Sequence, residues 1–153
     1  MTVDNNEGAA ARRPEEIEAW QDALAFWREY PAEMFNRSLR EQVQGCLRRI
    51  STSIEDWRAA IGGDFAAAIK IALCMRMPRE VTAGLDVTMT VLLAAACEDA
   101  KAAAVMAHLV NLAPIDPVDR TGLTTSWLLH KIWCESRIRN ARRRGRLHGL
   151  EGS

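Results

Sequence analysis

Residues 57–69 read Trp57-Arg58-Ala59-Ala60-Ile61-Gly62-Gly63-Asp64-Phe65-Ala66-Ala67-Ala68-Ile69, and the way this stretch stops and restarts decides the fold class. Two consecutive glycines release the backbone from a helix and readily supply the left-handed conformation on which helices commonly end. The aspartate that follows offers a carboxylate to the open amides of a new helix, and alanine has the highest helix propensity of any residue. One helix ends here and another begins, carrying Phe65, Ile69, Ala72 and Leu73 until Pro78 closes it.

Upstream, Phe35, Leu39, Val43, Cys46, Leu47, Ile50, Ile54, Trp57 and Ile61 recur mostly at spacings of three and four, the period of one helix face. The stripe is either continuous or broken at Ser51-Thr52-Ser53, where Ser53 with Asp56 three residues on resembles a capping pair. Before Pro31 a further helix is expected to start at Pro14, with Glu15 and Glu16 in its first turn and Ile17, Trp20, Leu24 and Trp27 on its apolar side. Trp20, Trp27 and Trp57 are therefore core or interface anchors. Residues 1–13 lack periodicity and read as a disordered tail.

Downstream, a helix from Pro78 with Glu80 in its first turn would present Val81, Leu85, Met89, Leu92 and Ala96. Its β-branched middle, Val87 to Thr90, also suits a strand, but a lone strand has no partner in a helical chain. Glu98 and Asp99 punctuate the pattern before Ala102 to Leu112, which carries Val105, Met106, Leu109 and Val110. Pro114 to Gly122 reads as a loop, and Thr124, Thr125 or Ser126 as the cap of a last helix running from Trp127, Leu128 and Leu129 through Ile132 and Trp133 into a cluster of arginines. Gly63 to Ile69 is echoed by Glu98 to Ala104 at an offset near 35 residues, close to a solenoid unit, but the Trp, Leu-Gly and Tyr pattern of such a unit is missing. The expected fold is all-α: one compact bundle-like or orthogonal domain of five to seven helices over residues 14–136, with a basic C-terminal helical extension over 137–153.

Composition agrees. The 153 residues are 48% hydrophobic and 26% charged, enough for a core without a metal or disulfide to staple it. Lys+Arg and Asp+Glu number 20 each, which excludes a histone-like or wholly acidic chain. The balance is uneven: Arg137, Arg139, Arg142, Arg143, Arg144 and Arg146 are six of the 20 basic residues, and without them 14 stand against 20 acidic ones. The uncharged runs Val87 to Cys97 and Ala102 to Ile115 fall short of the roughly 18 apolar residues that a membrane span needs. With no secretory signal at Met1 to Gly8 and no Cys-x-x-Cys pair, Cys46, Cys74, Cys97 and Cys134 read as buried thiols of a cytoplasmic protein.

Several chemistries need local spacings that the chain lacks: a phosphate-cradling Gly-x-x-x-x-Gly-Lys loop, a Gly-x-Gly-x-x-Gly turn, a His-Glu-x-x-His helix, a Gly-x-Ser-x-Gly elbow and a Glu-x-x-His pair. His130 and Cys134, four apart, share a helix face and are the best zinc or thiolate-base candidates, with Cys97 and His108, eleven apart, as a second pair able to converge on them. Arg137 beside Cys134 would favour a thiolate. Against both stands the ordinary reading of core thiols with a partly exposed histidine. Asp116 and Asp119 flank Pro117 and Val118, a spacing that serves a divalent cation or acid–base work and equally serves turn formation.

The arginines occupy the whole helical circumference, so the segment projects from the bundle. Their planar forks suit phosphate, and the absence of interleaved aromatics argues against base stacking; a solubilising tail is the plainer alternative. With no enzyme signature and no cofactor expected, the leading reading is a non-catalytic regulator, adaptor or inhibitor that contacts another protein. Nucleic-acid association through the arginines comes next, then a small enzyme whose site is assembled from distant residues. Oligomeric state is left open. Masses determined with and without reductant should agree, with four free thiols; a stoichiometric zinc in elemental analysis would instead assign ligand roles to His130 and Cys134.

Overall fold

The computed structural model describes residues 20–151. The expected tail over 1–13 and the helix start at Pro14 with Ile17 lie outside the described residues. Those described form seven α-helices and no strand, an all-α domain. Trp20 to Asp22 are helical, the chain tightens into a 3-10 turn at Ala23–Ala25, and α1 follows at Phe26–Glu29. Pro31 stops it, because the proline ring pushes the preceding residue out of the helical region, and Tyr30 is extended (φ −119°, ψ 135°). A second 3-10 turn, Ala32–Met34, leads to α2 (Arg37–Arg49), capped by Asn36, whose side chain accepts from the Leu39 amide at 2.9 Å.

The long stripe is broken. α2 ends at Arg49, and α3 (Trp57–Ile61) begins only after Asp56 in the left-handed conformation (φ 65°). Ser53 is not the cap. The only side-chain turn there is Thr52, whose hydroxyl accepts from the Ile54 amide, so the Ser53/Asp56 pattern is local turn chemistry. The glycine stop forms as read: Gly63 takes φ 106° and the Asp64 amide donates back to the Ala59 carbonyl at 3.0 Å. Asp64 then caps α4 (Phe65–Cys74) through the Ala67 amide. Its buried face is Ala67, Ala68, Ile71 and Ala72; Leu73, assigned inward from sequence, points to solvent, as does Cys74.

α5 (Ala83–Ala96) starts five residues later than Pro78. Thr82, extended and with a hydroxyl that accepts from the Leu85 amide at 3.1 Å, is the better cap, and Val81 is exposed before it. Leu85, Thr88, Met89, Thr90, Val91, Leu92, Leu93, Ala95 and Ala96 are all buried, so α5 is enclosed on nearly every side and is the axis of the core. Its β-branched middle is helical, with the Thr90 hydroxyl bonded to the Asp86 carbonyl one turn back. Asp99 caps α6 (Ala100–Leu112) through the Ala102 amide, and the resemblance between Gly63–Ile69 and Glu98–Ala104 is this shared Asp-capped, alanine-rich start.

The largest revision concerns α7, which spans Pro117–Glu151, 35 residues. The segment Pro114 to Gly122 is mostly helix. Asp116 receives the Val118 amide at 2.9 Å, Pro117 occupies the first helical position where its missing amide costs nothing, and Asp119 sits in the first turn. Thr125 and Ser126 instead bond back to carbonyls of the preceding turn, at Thr121 and Leu123.

The N-terminal segment is fastened to α5 by one carboxylate. Trp27 Nε1 donates to Asp86 at 2.7 Å, and Arg28 donates to both Asp86 oxygens at 3.2 and 3.4 Å. Asp86→Ala should cost about 2 to 3 kcal/mol, because it removes charge-assisted bonds and leaves the enclosed Trp27 N–H without its acceptor. Asp86→Asn, which keeps an acceptor, should cost less. Urea unfolding of the two variants checks the order; equal stability of both with the parent would show that the latch is not structural.

Candidate functional site

Trp127 is fully buried, its ring 6.0 Å from Phe35 and 5.5 Å edge-on from His130. With Leu123, Ser126 and Cys134 it defines the face of α7 that meets the body of the domain. At about 100° per residue, that fixes what lies opposite. Val118 is 80% exposed, Leu129 62%, Ile132 53% and Trp133 51%, and Leu128 is also exposed. The sequence places Trp127, Leu128, Leu129, Ile132 and Trp133 on one last helix without saying which of them face inward; of the five, the structure sends only Trp127 inward. The signal was present in the run Trp127-Leu128-Leu129, since three consecutive residues spread over about 200° and cannot share a face.

Beyond Cys134 no side chain of α7 is buried among the described residues, and Arg137, Arg139, Arg142, Arg143, Arg144 and Arg146 are all exposed. None of the six makes a salt bridge among the described residues. Arg137 lies over the Trp133 ring, 4.8 Å from its centroid, and Arg139 reaches the Ser136 hydroxyl.

The cysteine and histidine candidates partly converge. Cys97, Glu98, His130, Trp133, Cys134 and Arg137 line one cleft of about 600 Å³. His108 is not among them. Glu98 and Asp99 interrupt the helix between Cys97 and His108, so the eleven-residue spacing does not put them on one face, and His108 is exposed on α6. His130 Nε2 donates to the Cys97 carbonyl at 2.9 Å and lies 3.5 Å from Cys134 Sγ. A carbonyl only accepts, so this nitrogen carries the proton and is not free to take one from the thiol. Among the described residues no three His, Cys, Asp or Glu side chains are arranged to hold a metal. Asp116 accepts from the Val118 amide at the N-terminus of α7, and Asp119 lies in its first turn.

Burial dominates the thiols. It pushes Cys97 up to about 12 against the lowering pull of Arg40, and Cys46 up to about 11 despite Arg49. Cys134 is also raised: Arg137 does pull its value down, as its position in the sequence suggests, but loss of solvent outweighs the guanidinium. These are packed thiols rather than activated nucleophiles. A cleft of about 730 Å³ between Ile50, Ile54, Cys74 and Leu85 is mostly apolar and bears the Lys70–Asp56 ion pair; that carboxylate raises the Lys70 pKa.

Compared with known proteins, the chain matches no family model, no curated protein and no solved structure. No helix among the described residues is long and apolar enough to cross a membrane.

Thiol chemistry tests this description. An unfolded thiol ionises near 9.0, the folded Cys46 and Cys97 near 11 and 12. Their contribution to stability is therefore complete below pH 9 and is lost as pH rises through the folded values. Alkylation near pH 8 should modify exposed Cys74 first and spare the other three until unfolding. Peptide mapping that found Cys134 modified as fast as Cys74 would contradict this.

Proposed function

We propose that the protein is a non-catalytic helical module, a regulator, adaptor or inhibitor, that works by contact with another protein molecule through the outward face of α7. The observation that carries this reading is the row of large apolar side chains, Val118, Leu128, Leu129, Ile132 and Trp133, on the side of α7 away from the core. Singly exposed apolar residues are ordinary, as Val118 is; Leu128, Leu129, Ile132 and Trp133 fall within six consecutive residues of a long helix, and such clustering is the usual form of a helix-mediated contact surface. A cytoplasmic location belongs to the same reading, and four free cysteines fit a reducing compartment. The enzyme reading has less support, because the one thiol–imidazole contact joins a protonated thiol to a ring nitrogen already committed as a donor.

Nucleic-acid association is the second reading, favoured by six exposed arginines on a helix that outruns the core. It separates cleanly from the first. Replacing Leu129 and Ile132 by Ser should leave stability within about 0.5 kcal/mol, since both are half-exposed or more, yet abolish the recovery of partners from the native source by chemical cross-linking. Replacing Arg142, Arg143, Arg144 and Arg146 by Gln should leave that recovery intact. Should the arginine variant instead lose duplex DNA binding, with the slope of log affinity against log salt falling by about 0.9 per contact, the phosphate reading would displace the first.

A further inference from the structure

We infer that the outward face of α7 pairs with the same face of a second copy, antiparallel, to form a two-helix seam. The inference rests on the contact reading above and names its partner. The residues centred on that face, opposite Trp127, are Val118, Gly122, Thr125, Leu129, Ile132, Ser136, Arg139 and Arg143. Their spacing alternates four and three without a fault, the 3.5-residue period of helices that wrap on one another. All eight lie within one unbroken helix, and the seam from Val118 to Arg143 runs about 38 Å at about 1.5 Å per residue.

The sizes along this row are self-complementary under a two-fold axis that passes between Leu129 and Ile132. Antiparallel pairing about that axis sets Leu129 against Ile132 of the second copy twice, at the centre. Thr125 then meets Ser136 of the second copy, small against small. Gly122 meets Arg139, whose stem needs room. Nothing lies within 4 Å of where a Cβ on Gly122 would sit, so nothing within its own domain occupies that room. A parallel pair would instead stack Arg139 on Arg139 and Arg143 on Arg143.

The charges choose the same arrangement. Asp119, Trp133, Arg137 and Arg144 share one edge of the row, since 18 residues are five full turns and 25 are within about 20° of seven. Glu33 lies on that edge too, in a cleft of about 570 Å³ with Gly122, Thr125 and Leu129. In a symmetric antiparallel pair like edges face each other, so the acidic half of one copy, Glu33 and Asp119, meets the basic half of the other, Arg137 and Arg144. This match is the reason to commit to a second copy rather than to an unrelated apolar helix.

Sedimentation over a wide concentration range should show the 17.1 kDa chain passing to twice that mass. Leu129→Asp with Ile132→Asp should weaken association by roughly a hundredfold or more. Register is read by oxidative cross-linking of a chain with its four cysteines changed to Ala and carrying Thr125→Cys with Ser136→Cys: intermolecular 125–136 links are expected, and Thr125→Cys alone should not link. Efficient 125–125 linking would overturn the antiparallel arrangement. Should the cysteine-free chain not fold, Arg144→Asp on the natural background should weaken the dimer and Asp119→Arg in the same chain should restore it. A chain that stays monomeric throughout overturns self-pairing while the contact reading survives, provided cross-linked partners are still lost on changing Leu129 and Ile132; loss of neither would end both.

Discussion

Seating Trp127 in the core fixes the rotation of α7, and which of its apolar side chains face solvent follows from that rotation. The ring is held between Phe35 and His130, and His130 is itself tied to the Cys97 carbonyl at the end of α5. An indole fully removed from water stabilises by several kcal/mol and accepts few orientations, so the helix cannot turn about its axis without emptying that site. Leu129, Ile132 and Val118 are exposed as a direct consequence. Their exposure is the geometric complement of burying Trp127, Leu123 and Cys134, and the helix therefore has two apolar sides of which the domain uses one.

The cradle for α7 is assembled from distant pieces of chain. α5, buried almost all round, is the post on which the others lean, and Asp86 binds the N-terminal segment to it through Trp27 and Arg28. That latch delivers Phe35 and the turn Ala32–Met34 to α7, where the Ala32 amide donates to the Ser126 hydroxyl at 3.0 Å. Ser126, read from sequence as a helix cap, is thus a buried acceptor for another element. Pro31 redirects the chain so that this contact is made, which links a local backbone restriction to the placement of the surface.

What the sequence exposes and what it hides divide along physical lines. Signals confined to one turn were legible: the Gly62-Gly63 stop and the Asp64 cap depend only on residues three or four apart and form as read, and the punctuation at Asp99 is a cap of the same kind. Pro78 and Pro117 were harder, because proline both ends helices and opens them. At Pro117 the preceding Asp116 tips the balance toward a start, whereas after Pro78 the chain bends at Arg79 and Glu80 and stays out of a helix until Thr82 supplies a cap. The candidate site was half legible. The arginines stand out by composition, but the outward apolar face was not separated from the inward one, because helical period reports that a face exists, not which of two faces is covered. The cleft of Cys97, His130 and Cys134 was foreshadowed by spacing for His130 and Cys134 alone, since Cys97 arrives from α5 and only tertiary packing brings it there.

The rotation of α7 is open to a direct measurement: acrylamide quenching of tryptophan fluorescence in dilute solution, compared among the natural chain, Trp133→Phe and Trp127→Phe. Trp133 is half-exposed and Trp127 fully buried, so replacing Trp133 should remove the readily quenched component and replacing Trp127 should leave it in place. If the Trp127→Phe variant instead lost that component while Trp133→Phe retained it, α7 would be turned the other way, and the outward apolar row and everything drawn from it would fall.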